Sequence, residues 1–318
     1  MTRIKFFLIA ITSIAIFSSC KKDDDSTTVT PPRDRATQYT TDINDIEDYL
    51  KTHYLEVTTD ANNNPVPEIK VIPENGNQVS IWDQTDYPLL SKTVKNDSRI
   101  YTSDNTLVGT QIDDAVDYKI YYLKIREGIG ENPTSVDSTL VTYRGIDLED
   151  EQFDYAPNPV WFTQESVVSG WRNIMNEFKP GNAADDPANP GGVAFTDHGV
   201  GVMFIPSGLG YFNSAPSGLA AYSPLVFTFN LHKVQFVDSD GDGVKSFNED
   251  LNGNGNYYDD DTDVDGIPNF LDTDDDGDGT LTRVEVSDSF GRLYPFDLIP
   301  TCSGSTTGLK RHLDSTCK

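Results

Sequence analysis

Apolar residues in the middle of the chain recur with two different periods. Tyr118 to Ile125 is aromatic and β-branched. Thr139 to Tyr143, Gly201 to Ile205 and Pro224 to Leu231 repeat that character, so strands are predicted at all four places. Between the second and third, Val167, Val168, Trp171, Ile174, Met175 and Phe178 fall at offsets 0, 1, 4, 7, 8 and 11. That spacing is one continuous apolar face of a helix, and Lys179-Pro180-Gly181 stops it. Upstream, Ile43, Ile46, Tyr49, Leu50 and Tyr54 lie near helical spacing and predict a short amphipathic helix within Asp42 to Tyr54. Residues 66–116 alternate short apolar runs with turn residues and read as strands or a loose wrapping segment. Residues 182–200 are rich in Gly, Pro, Asp and Asn and read as a surface loop. Antiparallel strands with a single covering helix make the expected fold class α+β, a half-open antiparallel barrel or sheet wrapped on one helix.

The first residues follow a different pattern. Arg3 and Lys5 precede an apolar run from Phe6 to Phe17, too short for a comfortable membrane span, and Ser18-Ser19-Cys20 follows. This resembles a bacterial lipoprotein signal, which implies cleavage after residue 19 and a lipid on the Cys20 thiol. Lys21-Lys22-Asp23-Asp24-Asp25 resembles the surface-export signal of Bacteroidetes lipoproteins. Residues 20–39 are rich in Thr, Pro and charge and read as a tether. The expected place is therefore the cell envelope, as a surface-exposed outer-membrane lipoprotein. Beyond Cys20 the only cysteines are Cys302 and Cys317. Outside the reducing cytosol, a disulfide closing a short loop is expected between them.

Charge changes the picture further. The formal net charge is -27, which excludes nucleic acid as a partner, because phosphate binding needs a basic surface. Asp238 to Glu285 holds sixteen acids against Lys245 and Arg283. Such concentration suggests cations. A twelve-residue calcium loop supplies oxygens from positions 1, 3, 5, 7, 9 and 12, with glycine at position 6. The first such loop has Asp238, Asp240, Asp242, Val244, Ser246 and Glu249 around Gly243. A second, weaker in carboxylates, has Asp250, Asn252 and Asn254 and ends at Asp261. A third has Asp261, Asp263, Asp265, Ile267, Asn269 and Asp272 around Gly266, and a fourth has Asp274, Asp276, Asp278, Thr280, Thr282 and Glu285 around Gly279. The flanks lack the long helices of EF-hands. Loops chained this tightly resemble thrombospondin type 3 repeats, which implies structural calcium and little hydrophobic core.

A third group of residues carries the candidate chemistry. In chain order it is Val141-Thr142-Tyr143, Phe153-Asp154, Phe162, Val167-Val168-Ser169-Gly170-Trp171, Ile205 to Tyr211, and Leu225-Val226-Phe227. The series resembles the FKBP-type peptidyl-prolyl isomerases over Tyr118 to Val234. That resemblance implies a prolyl pocket with Trp171 as its floor and Tyr143, Phe153, Phe162, Val168 and Phe227 as walls. Tyr211 would donate to the substrate carbonyl, Asp154 would sit at the rim holding Tyr143 or the substrate backbone, and Leu219 would lie in the flap. The chain departs from the family at Phe212, where glycine is usual, at Val160, where an aromatic is usual, and in the long 182–200 connection. Glu127-Gly128-Ile129-Gly130 is not a phosphate loop, because no Gly-Lys-Ser/Thr follows it.

The expected organisation is a leader at 1–19, the tether at 20–39, and an N-terminal extension with a short helix at 40–117. An isomerase domain at 118–234, calcium repeats at 236–287 and a tail at 288–318 follow. The expected function is isomerisation of prolyl bonds in exported or surface polypeptides, with no cofactor for catalysis. The alternative is a non-enzymatic surface binding or adhesion module that keeps the FKBP fold.

Overall fold

The structure, a computed structural model, describes residues 31–101, 107–112, 114–186, 190–302 and 308–317. The expected leader, the expected lipidation site at Cys20 and most of the expected tether lie outside the described residues. Arg33–Lys318 forms one compact unit.

The chain enters it through helix α1 (Arg35–Thr52), followed by a hairpin of β1 (His53–Thr59) and β2 (Pro65–Val71). Strand β3 (Leu90–Val94), the hairpin β4 (Asp97–Tyr101)–β5 (Leu107–Ile112), and strands β6 (Tyr118–Arg126), β7 (Ser138–Ile146) and β8 (Gln152–Thr163) come next. Then follow α2 (Ser169–Met175), the hairpin β9 (Asn182–Asp185)–β10 (Val193–Thr196), β11 (Gly199–Ile205) and β12 (Leu225–Gln235). Six of the strands form one antiparallel sheet in the order β3-β6-β11-β12-β7-β8. The protein is thus α+β, as the strand periods predict.

The two central strands are apolar on both faces, and both faces are covered. On one, Ile120, Tyr122, Met203, Ile205, Phe227 and Phe229 pack under Trp171, Ile174 and Met175 of α2. On the other, Tyr121, Leu123, Val202, Phe204 and Val226 pack under Ile46, Tyr49 and Leu50 of α1, with Ile81 beside them. The expectation of a sheet wrapped on one helix is therefore corrected: two helices sandwich it. A near-continuous apolar run such as Tyr118–Leu123 marks a strand buried on both sides.

Helix α1 also starts at Arg35, inside the stretch read as tether. Its first turns carry no apolar stripe. They are held by the Asp34 cap, whose carboxylate accepts the Thr37 N–H at 2.8 Å, a contact worth ~1 kcal/mol. Gln38 and Asp42 are buried there through hydrogen bonds instead. Strand β3 likewise comes from the N-terminal extension and pairs with β6 from Leu90↔Tyr122 to Val94↔Tyr118, so this strand of the extension joins the six-stranded sheet.

Helix α2 is shorter than its apolar face. Val168 is extended, and Phe178 lies past the helix end yet is fully buried against Phe229, with ring centroids 4.8 Å apart. A Cβ on Gly170 would lie 2.3 Å from Ile205 Cγ2. Glycine there lets the helix approach β11 closely enough to seat Trp171.

The ladder after β12 has short turns and one four-residue helix, α3 (Thr282–Glu285). It carries two small apolar clusters. One joins Tyr257 and Phe270 to Val136, just before β7, and the other joins Val244, Val286 and Ile299. The Val237 N–H bonds to Asp137 at 3.3 Å, and the Tyr258 hydroxyl donates to Glu165 at 2.7 Å. The tail at 288–318 folds with the ladder rather than after it: Ser287 bridges to Leu293, Thr301 bridges to Lys310, and Cys302 is bonded to Cys317.

Candidate functional site

The nine side chains expected to form a pocket come from five separate stretches of chain, and seven of them, Tyr143, Phe153, Asp154, Phe162, Trp171, Tyr211 and Phe227, are joined by ring contacts and one hydrogen bond. Tyr143 is on β7, Phe153, Asp154 and Phe162 are on β8, Val168 and Trp171 open α2, Tyr211 and Leu219 lie in the β11–β12 connection, and Phe227 is on β12. The Trp171 ring is 3 % exposed and meets Phe227 edge-on with centroids 5.1 Å apart. Tyr143 stands against Trp171 at 5.4 Å and Phe162 at 5.8 Å, and Phe153 reaches Phe227 at 5.5 Å and Tyr211 at 6.5 Å. Edge-to-face pairs of this kind add to area burial. A Cβ at Gly145 would collide with both Phe227 and Phe153, so this glycine makes room for the pair.

The polar groups are few. The Tyr143 hydroxyl donates to Asp154 Oδ2 at 2.7 Å. Burial, reinforced by that hydrogen bond, pushes the Tyr143 phenol well above its usual range. Burial, then the charge of Asp154, raises Tyr211 as well. Both phenols therefore hold their protons at neutral pH. The Trp171 indole N–H is buried without a partner.

The β11–β12 connection is clamped by α1, which sequence patterning does not reveal. Ser207 donates its N–H (2.8 Å) and its hydroxyl (2.6 Å) to Asp42, and Gln38 donates to the same carboxylate at 2.7 Å. Burial pushes the Asp42 carboxyl up. Arg35 donates to the Gly208 carbonyl at 3.1 Å and stacks over Phe212 at 4.2 Å, while Arg33 stacks over Tyr222 at 4.2 Å. Phe212 itself sits at φ 48°, in the left-handed region where a glycine would cost nothing. Its ring is buried against Tyr222 and Arg35. The Phe212 side chain thus anchors the loop that carries Tyr211 to α1.

A concave region of about 530 Å³ lies between the β1–β2 hairpin, the β9–β10 hairpin and residues 155–159 of β8. His198 and His232 are buried at its base with ring centroids 4.5 Å apart. Burial, then the nearby Arg126, holds His198 down at about 4; burial, then His198, holds His232 at about 3. Their meeting follows from register alone, because Gly199 pairs with Leu231. The segment expected to be a plain loop at 182–200 supplies Phe195, which stacks on His232 at 4.6 Å.

In the ladder, Asp238, Asp240 and Asp242 bring carboxylate oxygens within 4.8 Å of one another, as do Asp261, Asp263 and Asp265, and Asp274, Asp276 and Asp278. The glycines at position 6 have φ of 103°, 95° and 88°, the sharp turn such loops need. In each loop several carboxylate oxygens accept backbone N–H groups, as Asp242 does from Val244 at 2.7 Å. Many others have no partner, including Asp240 Oδ2, Asp242 Oδ2, Asp276 Oδ2, Asp278 Oδ2 and Glu285 Oε2. Burial, then neighbouring carboxylates, raises Asp240, takes Glu249 to about 11 and Glu285 to about 8. Buried, unpaired carboxylates fit a hard cation.

Two parts of the expected ligand set are placed differently. Ser246, Asn269 and Thr282, at position 9, accept the N–H of the position 2 residue of their own loop at 3.1, 2.9 and 3.0 Å, closing each loop internally. In the second loop the Asn252 and Asn254 amides donate to Asp259 and Asp260, and their oxygens accept the Asn254 and Asn256 N–H groups at 3.0 and 2.6 Å. A fourth group of carboxylates, Asp242, Glu249 and Asp275, crosses between loops. Asp275 falls between ligand positions and is invisible to the spacing.

A family model described as BamM C-terminal matches residues 239–308, the ladder with most of its tail. No curated protein matches the chain. Among solved structures it is similar to FkpA from Escherichia coli, at 25% identity over 36% of this chain and 48% of that one, with a TM-score of 0.30. A peptidyl-prolyl cis-trans isomerase from Pseudomonas syringae pv. tomato is similar at 25% identity over 36% and 75%, TM-score 0.30. The N-terminal domain of FKBP42 from Arabidopsis thaliana is similar at 12% identity over 38% and 91%, TM-score 0.30. The chain spans about half the length of FkpA.

Proposed function

We propose that the protein is a peptidyl-prolyl cis-trans isomerase of FKBP type, held in the cell envelope by a lipid on Cys20 and carrying a calcium-bound ladder. The observation that supports this reading is the chain of ring contacts joining six of the nine expected side chains, Tyr143, Phe153, Phe162, Trp171, Tyr211 and Phe227, with Asp154 bonded to Tyr143. Rotation about an X-Pro bond faces a barrier of about 18–20 kcal/mol, set by amide resonance. An enclosure that strips water from the planar, charge-separated amide favours the twisted, less polar form. Trp171 is the floor under the prolyl ring, and Tyr143, Phe153, Phe162, Val168 and Phe227 are its walls. Tyr143 spends its proton on Asp154, which leaves the Tyr211 hydroxyl as the donor to the substrate carbonyl. Leu219 closes the flap. No step needs a nucleophile.

Calcium, when bound, neutralises the ladder carboxylates and orders their loops; affinity belongs to the weak extracellular range of about 10⁻⁴–10⁻³ M. The test of the activity is exchange of an X-Pro peptide followed by NMR. Acceleration by the wild-type protein supports the isomerase. Binding of a proline peptide without acceleration would favour a non-enzymatic binding module instead.

A further inference from the structure

The first and fourth loops of the ladder are far apart in sequence, yet one side chain of the fourth is turned into the first. Asp275 sits at position 2 of its own loop, between Asp274 and Asp276, which face the loop's interior with Asp278. Its backbone N–H is tied to Thr282 at 3.0 Å, and this directs the side chain away from that interior. Its carboxylate lies with those of Asp242 and Glu249, all ligand oxygens within 4.8 Å of one another. The three residues are 1 %, 2 % and 2 % exposed. Both oxygens of Asp275, both of Glu249 and Oδ2 of Asp242 lack any hydrogen-bond partner. Position 2 of the other loops is Ser239, Leu251 and Thr262, none of them a carboxylate.

We propose that Asp275 is a ligand from the fourth loop to a divalent cation held by Asp242 and Glu249 of the first, so that one ion staples the two ends of the ladder together. This rests on the calcium reading of the loops. Three buried carboxylates with five unpartnered oxygens among them come from two loops, and one oxygen of each lies within 4.8 Å of the others. A group buried without a hydrogen bond or ion is costly, and a buried unpaired carboxylate is more so. Calcium takes six to eight oxygens with flexible geometry and accepts carboxylates in one- or two-oxygen contact. The first loop's own position 9 oxygen, on Ser246, is spent on the Ser239 N–H. Asp275 supplies an oxygen in its stead. The staple also bears on the barrel, because the first loop leaves directly from β12, the strand that carries Phe227.

The test compares the full chain in detergent with its Asp275→Asn variant, titrated calorimetrically with calcium chloride and melted in calcium and in chelator. The variant should lose roughly tenfold or more in affinity at one site while the others are unchanged. It should melt lower than wild type in calcium but not in chelator, where no ion compensates the buried carboxylates and an amide in place of one of them is cheaper to bury. A wild-type protein that binds no calcium defeats the calcium reading itself. A wild-type protein that binds, beside a variant with the same isotherm, defeats only the staple. A variant that melts lower in both conditions assigns Asp275 a purely structural role and also overturns the proposal.

Discussion

The pocket works, on this reading, by exclusion of water, so its residues should matter in proportion to the enclosure they provide. Trp171→Ala removes the buried floor that touches Tyr143, Phe227 and Phe229, and should slow peptide exchange most. Tyr211→Phe deletes one hydrogen bond, worth about 0.5–1.5 kcal/mol, and should cost roughly threefold to tenfold in rate. Asp154→Ala should fall between them, since it releases Tyr143 from its 2.7 Å bond; a larger loss for Tyr211→Phe than for Trp171→Ala, read by the same NMR exchange, would contradict the desolvation account. The paired histidines give a second expectation. His198 and His232 are held at about 4 and 3, mainly by burial, against about 6.5 in an unfolded chain. Below pH 6.5 the unfolded state takes up these protons first, so their contribution to stability declines as the pH falls from about 6.5 toward 4. Imidazole NMR at pH 5 should find both rings neutral in the folded protein, and a protonated ring there would refute it.

At the scale of elements, the unexpected partner of the pocket is α1. Asp42 accepts three hydrogen bonds in a buried site and fixes Ser207, four residues before Tyr211. Asp42→Ala would leave the Ser207 donors buried and unpaired. Losing hydrogen bonds to a buried charge costs about 1.5–3 kcal/mol each, so urea unfolding should show a loss of at least that size. Peptide affinity should fall with it, because the loop carrying Tyr211 and Leu219 is no longer held. An Asp42→Ala protein as stable as wild type would show that the α1 clamp contributes little.

The whole molecule behaves as one compact unit from Arg33 on, which revises what a minimal active fragment must contain. Residues 118–234 by themselves lack β3 and α1. That leaves the β6 edge unpaired and uncovers Tyr121, Leu123, Val202, Phe204 and Val226. An exposed edge and an exposed apolar face favour aggregation. We expect 118–234 to aggregate on expression and the segment from Arg33 to Gln235 to be soluble, by light scattering. A monodisperse, active 118–234 fragment would show that α1 is dispensable. The ladder is docked through Tyr258–Glu165 and the Val136 cluster, whereas the pocket side chains all come from the sheet, α2 and the β11–β12 connection. Chelation is therefore expected to lower the melting temperature and make the ladder protease-sensitive, while exchange activity below the melt persists.

The local patterns of this sequence determined the strands, the α2 face and the spacing of the acidic loops, because each depends on residues a few positions apart, whereas the aromatic set was indicated only by its resemblance to a family. Periods of 2 and 3.6 and a repeat of twelve are written into neighbouring side chains. Tertiary structure alone decided the rest. The first turns of α1 are polar and are buried only because Ser207 arrives to bond Asp42. The second covered face of the sheet needs α1 and Ile81 to come together from outside the barrel. The histidine pair needs the β11–β12 register. Asp275 is turned toward Asp242 and Glu249 by contacts between loops that no spacing within one loop encodes.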